Sequence, residues 1–385
     1  MPAPKTTNPG KRIYEGCNFF RQRIVLSTLS GVPVRIVDIR KYEDEPGIKE
    51  FEASFLRLMD KLTNGTKIEV NETGTGVLYA PGLLIGGEVD HDCSCERAIG
   101  FFIEGILPLA PFCKNALNLT LRGVTNDKYD LSVDTIKYVS LALMKRFGLL
   151  EGLDLKILKR GAMPDGGGEV VFTCPARRKL MPLQFTDPGK LKRIRGTAFS
   201  MKVSPAFVNR MVDSSRGILN QFLSDIYIYS DSVKGVQSGK SPGFGLSLMV
   251  ESTTGVMLSI DACSNAKGDE DGKTAIVPED LGKSAAMLLL QEVYRGGCVD
   301  STHQSLALLY MALGQMDVSK VMLGALTPYT VQFMRHMRDF FNLMYKIDKV
   351  PSGGIDNDET GRGSEQKYIV TCMGVGFTNL NKTSL

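Results

Sequence analysis

The sequence predicts an α+β protein: three repeated helix–strand–helix–strand–strand units form a large domain, and a smaller α/β domain is inserted into it. Three observations lead there. Helical and alternating apolar stretches follow one another in the same order twice before residue 175, and that order returns after Pro278. The stretch of about 94 residues between them breaks it. The large domain is expected over 1–183 and 278–385, and the insert over 184–277.

Residues 1–12 are expected to be disordered. In the first unit, Phe19, Arg23, Leu26 and Ser30 predict a helix over 18–30, and residues 33–39 alternate like a strand. Phe51, Phe55, Leu58 and Leu62 make the core stripe of a helix over 47–64, which Gly65 stops. Residues 67–70 and 76–79 read as a hairpin. The second unit places helices over 96–109 and 132–147 and strands over 117–122, 153–159 and 169–174. In the insert, a strand over 195–203 precedes a helix opened by Ser204 and Pro205, and strands follow at 225–230, 245–252 and 256–262. The third unit has helices over 279–294 and 301–313, a strand over 317–323 and a helix over 328–345. A polar, Gly-rich loop at 351–365 is expected to be mobile, and the last strand covers 367–373.

The helix after residue 327 carries the functional question. Thr327 offers an N-cap oxygen and Pro328 suits the first turn. Phe333, Met337, Phe340 and Met344 should face the core, which leaves Arg335, His336, Arg338, Asp339 and Lys346 on other faces. Tyr329 is expected at an exposed helix start, where backbone N–H groups attract anions. A neutral phenol is a poor nucleophile there.

Composition narrows the classes. The chain is 43% apolar and 23% charged, as in ordinary globular proteins, and no apolar run approaches the roughly 20 residues that span a bilayer. No signal peptide is visible at the start, so the chain is expected to be intracellular, with no membrane partner. The eight cysteines are scattered, and only Cys93 and Cys95 are close. With His91 they invite a zinc reading, but a single C-x-C pair favours free thiols, and no metal is expected. Residues 177–195 hold seven Lys/Arg against Asp187 alone, either a solvated loop or a polyanion contact. Arg335 and Asp339 are spaced for a surface ion pair. Arg338 and Asp339 are the one pair worth testing for phosphodiester cleavage, since no carboxylate cluster is spaced for two metals.

Two glycine-rich stretches stand apart. Pro164-Asp-Gly-Gly-Gly-Glu169 could cradle an anion or close a hairpin, and it is not followed by the Lys-Ser/Thr of a Walker motif. In Ser238-Gly-Lys-Ser-Pro-Gly-Phe-Gly245 the glycine spacing from Gly235 falls one residue short of a phosphate loop, which leaves Lys240 available to a polyanion.

Taken with Gly16-Cys-Asn-Phe-Phe-Arg21, Pro46-Gly-Ile-Lys49, Lys159-Arg-Gly-Ala-Met-Pro164, Gly296-Gly-Cys-Val-Asp-Ser301 and Gly374-Val-Gly-Phe-Thr-Asn379, these stretches resemble the RNA 3′-terminal phosphate cyclase superfamily, specifically its cyclase-like nucleolar branch. The resemblance covers almost the whole chain and implies three repeated units with an inserted domain. Active members use a histidine that forms a covalent AMP adduct, in a motif like Leu-Thr-x-His-Thr; here Leu326-Thr-Pro-Tyr-Thr330 puts Tyr329 in its place. Departures recur at Gly16–Arg21, at Glu50-Phe-Glu52 in place of Pro-Gln-His, and at Ser305 and Leu306 in place of Asp-Gln. The resemblance therefore implies an RNA- and protein-binding factor without cyclase activity or cofactor. It implies a role in maturing 18S rRNA precursor in the small-subunit processome of the nucleolus, bound to a ribosome-assembly GTPase. Direct endonuclease action on precursor rRNA and residual cyclase activity are the alternatives. Arg21, Arg23, Lys190, Lys192, Arg193, Arg195 and Lys240 are the expected RNA or anion contacts.

Overall fold

Each of three units in the structure, a computed structural model that describes residues 12–264, 276–350 and 365–379, opens with a strand. Unit one runs β1 (Arg12–Glu15), α1 (Phe20–Ser30), β2 (Val34–Val37), α2 (Glu50–Leu62), β3 (Thr63–Asn64), β4 (Lys67–Val70), β5 (Val77–Ala80) and β6 (Leu83–Leu84). Unit two runs β7 (Gly87–Asp92), α3 (Ile99–Ile106), β8 (Leu117–Gly123), α4 (Val133–Thr135), a π turn (Ile136–Ser140), α5 (Leu141–Lys145), β9 (Asp154–Lys159) and β10 (Gly168–Cys174). Unit three starts at β11 (Gln184–Phe185) and is interrupted by β12 (Leu191–Met201), α6 (Ala206–Leu219), β13 (Ile226–Val233), β14 (Gly243–Ser252), β15 (Met257–Cys263) and α7 (Pro278–Arg295). It resumes with α8 (Gln304–Leu313), β16 (Val318–Leu323), α9 (Pro328–Phe341), β17 (Lys346–Lys349) and β18 (Tyr368–Met373).

The sheets repeat one design: orders β1-β2-β5-β4, β7-β8-β10-β9 and β11-β16-β18-β17, each with its first two strands parallel and the rest antiparallel. The α+β class is as expected, with a strand added at the head of every unit. The expected loop at 351–365 lies outside the described residues except Glu365, and so do residues 1–11. Arg12, expected in a disordered start, opens β1.

Helix α1 is the hub. It packs on α3 and α9, so helices of all three units meet there, and Phe20 and Gln22 to Leu29 are all buried. Helix α9 buries Phe333, Met337 and Phe340 as expected, but Asn342 takes a left-handed conformation (φ 50°) and ends it. Met344, expected in the core, is 77% exposed in consequence. The helix expected over 132–147 is interrupted by the π turn, and the one expected over 301–313 begins at Gln304.

The inserted sheet, order β13-β12-β14-β15, is joined to unit two by buried polar groups. Arg160 donates to both oxygens of Asp134 at 2.8 Å and to Asp231 on β13 at 2.6 Å. Asp261 on β15 accepts from Ser132 at 2.7 Å and Thr135 at 3.0 Å. The expected boundary at residue 277 falls just before α7, yet α7 packs chiefly on α6, β14 and β15. The helix contact is so close that a Cβ on Gly282 would overlap the Met211 carbonyl oxygen and the Ser214 hydroxyl. Arg210 on α6 and Glu279 on α7 pair across it. Helix propensity alone favours Gly282→Ala by about 1 kcal/mol. Overlap with rigid backbone costs roughly 1–3 kcal/mol and should win. Urea denaturation should therefore show Gly282→Ala less stable than wild type, and a gain in stability would reject this account of the α6–α7 contact.

Candidate functional site

The start of α9 is built as the sequence suggests, but its tyrosine is not. Thr327 caps the helix, its hydroxyl accepting from the Thr330 N–H at 3.1 Å, and Pro328 occupies the first turn. Gln304 braces the turn from α8, its amide oxygen accepting from the Thr330 hydroxyl at 2.9 Å and the Thr327 N–H at 3.3 Å. Tyr329, expected at an exposed mouth, is half-buried, with its ring 5.8 Å from that of Phe19. Burial pushes its pKa up, and only the neighbouring Arg21 and Gln22 oppose that. The phenol stays neutral.

The space beside Tyr329 is a cavity of about 40 Å³ lined in part by Arg21, Gln22, Glu104, Ser305 and Leu306. The departures at 16–21, 305–306 and 329 thus meet in one place. The cavity has room for a few waters and falls far short of the roughly 300–1,000 Å³ of a ligand pocket. Arg21 helps fill it. Its guanidinium pairs with Glu104 on α3 at 2.5 Å, donates to the Phe101 carbonyl at 2.8 Å and lies 4.7 Å from the Phe101 ring. Burial works against the charge, but Glu104, with Tyr329 and Asp130, keeps its pKa above the ordinary value. Phe51, from the departure at 50–52, packs edge-on against the same Phe101 ring at 5.3 Å.

Three of the other six expected contacts have partners within the molecule. Arg23 is 6% exposed and donates to the Gly16 carbonyl at 2.8 Å. Arg193 pairs with Glu251 at 2.7 Å and Arg195 with Asp225 at 2.8 Å. Arg21 and Arg23 are thus committed inside the molecule, whereas Arg193 and Arg195 sit in partly exposed ion pairs. Lys190, Lys192 and Lys240 are exposed. They do not form one surface, because Leu191 pairs with Ser252 at one end of β12 and Met201 with Gly243 at the other. Ten steps of about 3.3 Å separate Lys190 from Lys240's end of the strand.

The histidines also differ from expectation. His336, assigned to an outer face, is fully buried, with Nδ1 3.0 Å from the Gln22 amide oxygen and its ring edge-on to Tyr14 at 5.2 Å. The Arg335–Asp339 pair is replaced: Arg335 donates to Gln332 at 3.2 Å, and Asp339 accepts from Tyr14 at 3.3 Å. Arg338 and Asp339 stand side by side at 3.9 Å, in a partly open position. His303 lies between Asp300 (2.6 Å) and Ser140 (2.7 Å), a Ser–His–Asp chain with Ser140 fully buried and so closed to any substrate. His91 bonds to Ser54 at 3.0 Å. No group of His, Cys, Asp or Glu among the described residues is placed to hold a metal. No helix among them is long and apolar enough to cross a membrane.

Gln22, Glu104 and Phe101 escaped the sequence reading. One signal was present: Glu104 is the lone charge in the apolar α3. His336 allows a sign test. Burial, then Arg23, lowers its pKa to about 4, below the ordinary value near 6.5. The unfolded chain therefore binds the proton first, and stability falls as pH drops from about 6.5 to 4, by up to about 3 kcal/mol. Chemical denaturation across that window should show a steeper acid loss for wild type than for His336→Gln. Parallel curves would remove His336 as the cause.

With this geometry in view, known proteins give a consistent comparison. The family model for RNA 3′-terminal phosphate cyclase matches residues 12–347. The RNA 3′-terminal phosphate cyclase-like protein of Homo sapiens is 58% identical over 371 residues, covering 96% of this chain and 97% of that protein. A probable RNA 3′-terminal phosphate cyclase-like protein of Drosophila melanogaster is 52% identical, covering 96% of both chains. An rRNA processing protein of Schizosaccharomyces pombe, rcl1, is 41% identical over 96% of this chain and 97% of its own. From the first β-strand to the last long helix and beyond, the chain belongs to the RNA 3′-terminal phosphate cyclase family.

Proposed function

We propose that this chain acts in ribosomal RNA processing by binding RNA and protein, without RNA 3′-phosphate cyclase chemistry. The observation that carries the proposal is the cavity at Tyr329. At about 40 Å³, with Arg21 held by Glu104, it has neither the volume nor an uncommitted cation for ATP. The phenol supports the same reading. It stands where the resemblance puts the nucleophilic histidine, and burial raises its pKa further from neutrality. The Schizosaccharomyces pombe relative, an rRNA processing protein, supplies the setting. Within it, we place the chain on the 18S precursor in the small-subunit processome of the nucleolus, bound to a ribosome-assembly GTPase. Of the expected contacts, Lys190, Lys192 and Lys240 remain exposed for RNA phosphates.

The test uses pure protein, labelled ATP and an RNA ending in a 3′-phosphate. No covalent AMP and no cyclic phosphate should form. Tyr329→His should be equally inactive, because restoring an imidazole leaves Arg21 and Glu104 in the cavity. AMP transfer by wild type would overturn the proposal, and transfer by Tyr329→His would show the cavity open enough for ATP. In cells, depletion should accumulate 18S precursor and recovery of the protein should bring the GTPase with it.

A further inference from the structure

Three stretches left without a role come together at one place, and none of their residues lines the cavity at Tyr329. The Lys240 N–H donates to the Gly166 carbonyl at 2.9 Å, and Ser241 donates to the Asp165 carboxylate at 3.0 Å. These bonds lock the loop 238–245 onto the loop 164–169. The Cys93-x-Cys95 loop closes on the same point, where a Cβ on Gly166 would lie 2.9 Å from Cys95 Sγ. Gly239 packs just as tightly, with room for no side chain against the Arg160 and Gly166 carbonyls.

The three loops border a cleft of about 430 Å³ between unit two and the insert. This is the size of a small-molecule site, about ten times the cavity at Tyr329. Its insert wall carries Phe199, Met201 and Phe244, and its other wall Cys95, Asn126 and Pro164. Arg160 covers Phe199 at 4.8 Å, which holds the ring in place. Asn126 is 5% exposed, and its amide oxygen has no hydrogen-bond partner. Its amide nitrogen donates to Asp134 at 3.4 Å, and the residue lines the cleft. Lys128 lines the cleft, Lys202 follows the lining Met201, and Lys240 stands two residues before the lining Pro242, all three exposed. Lys202 reaches the Lys240 carbonyl at 2.7 Å, so these two cations flank the same edge. Of the acids at the cleft, Asp127 accepts from the Ala98, Tyr129 and Asp130 N–H groups at 3.0, 2.9 and 2.7 Å, Asp165 accepts from Ser241, and Glu96 accepts from the Phe51 N–H at 3.2 Å.

A cleft with apolar walls and an exposed aromatic ring, an acceptor lacking a donor and cations alongside describe one kind of guest. We propose that this cleft holds one unstacked base of a single-stranded RNA, its ring against the exposed Tyr129, its N–H on Asn126 and its flanking phosphates at Lys202 and Lys240. The assignment rests on the RNA-binding reading above and adds which part of the RNA is read, and where.

The test measures binding of the full chain to a fluorescent 12-nucleotide uridine strand and to the same strand with every base replaced by an abasic site. Wild type should prefer the base-bearing strand by about tenfold or more. Ser94→Trp, which fills the cleft from a half-buried position, should bind both strands alike at the abasic level, with an unchanged melting temperature. Asn126→Ala should lose part of the preference while binding the abasic strand as wild type does. Three outcomes overturn the proposal: no base preference in wild type, an undiminished preference in Ser94→Trp, or displacement of the strand by micromolar uridine monophosphate, which would mark a free-nucleotide site. The first two leave RNA binding itself standing. Absence of binding to either strand would remove both this inference and the RNA-binding reading.

Discussion

Arg160 holds the two halves of the molecule in register. It is 3% exposed and meets two carboxylates, Asp134 at the head of α4 and Asp231 on the inserted sheet. Burial disfavours its charge, and Asp134 and Asp231 more than offset this, raising its pKa. Such a buried pair adds little net stability compared with an apolar contact, but losing one partner costs about 3–5 kcal/mol. Its value is in specificity: only one placement of the insert satisfies all three groups. That placement sets the cleft, because Arg160 lies at once against Phe199 and between the glycine-rich loops.

The two cavities show opposite uses of the same scaffold. Around α1, side chains from different units have moved inward, and Arg21, Glu104, Phe101 and Tyr329 occupy what would otherwise be open. Between unit two and the insert, glycines hold backbones in direct contact and the side chains retreat to line a space. The chain keeps an anionic partner for Arg21 inside the first site and sets exposed lysines beside the second. Charge location, more than net charge, separates them; the formal net charge is only +4.

Periodicity made most helices legible, because a stripe such as Phe333, Met337 and Phe340 has one sensible orientation. The strands that open each unit were not legible. Gly87–Asp92 alternates charges instead of apolar groups, and Gln184–Phe185 is two residues long. Met344 fits the helical stripe, and only the backbone turn at Asn342 excludes it. At the site, the motifs and their departures were visible, since they are local. Their convergence was not: Arg21 and Glu104 are 83 residues apart, and nothing local marks Arg23 or His336 as buried. A fully polar residue inside a hub helix is defined by neighbours that belong to other units.

The threefold sheet design carries one more consequence. The outer strand of each sheet is the equivalent one: β4, β9 and β17. Each bears lysines beside apolar residues: Lys67 beside Ile68, Lys156 and Lys159 around Ile157 and Leu158, Lys346 and Lys349 around Ile347. An unpaired strand edge is a template for another chain, and a charged side chain facing a second copy of itself blocks that pairing. Repeating a sheet three times multiplies such edges, and here the guard is repeated with it. On this edge of each sheet the lysines stand against pairing with a second copy.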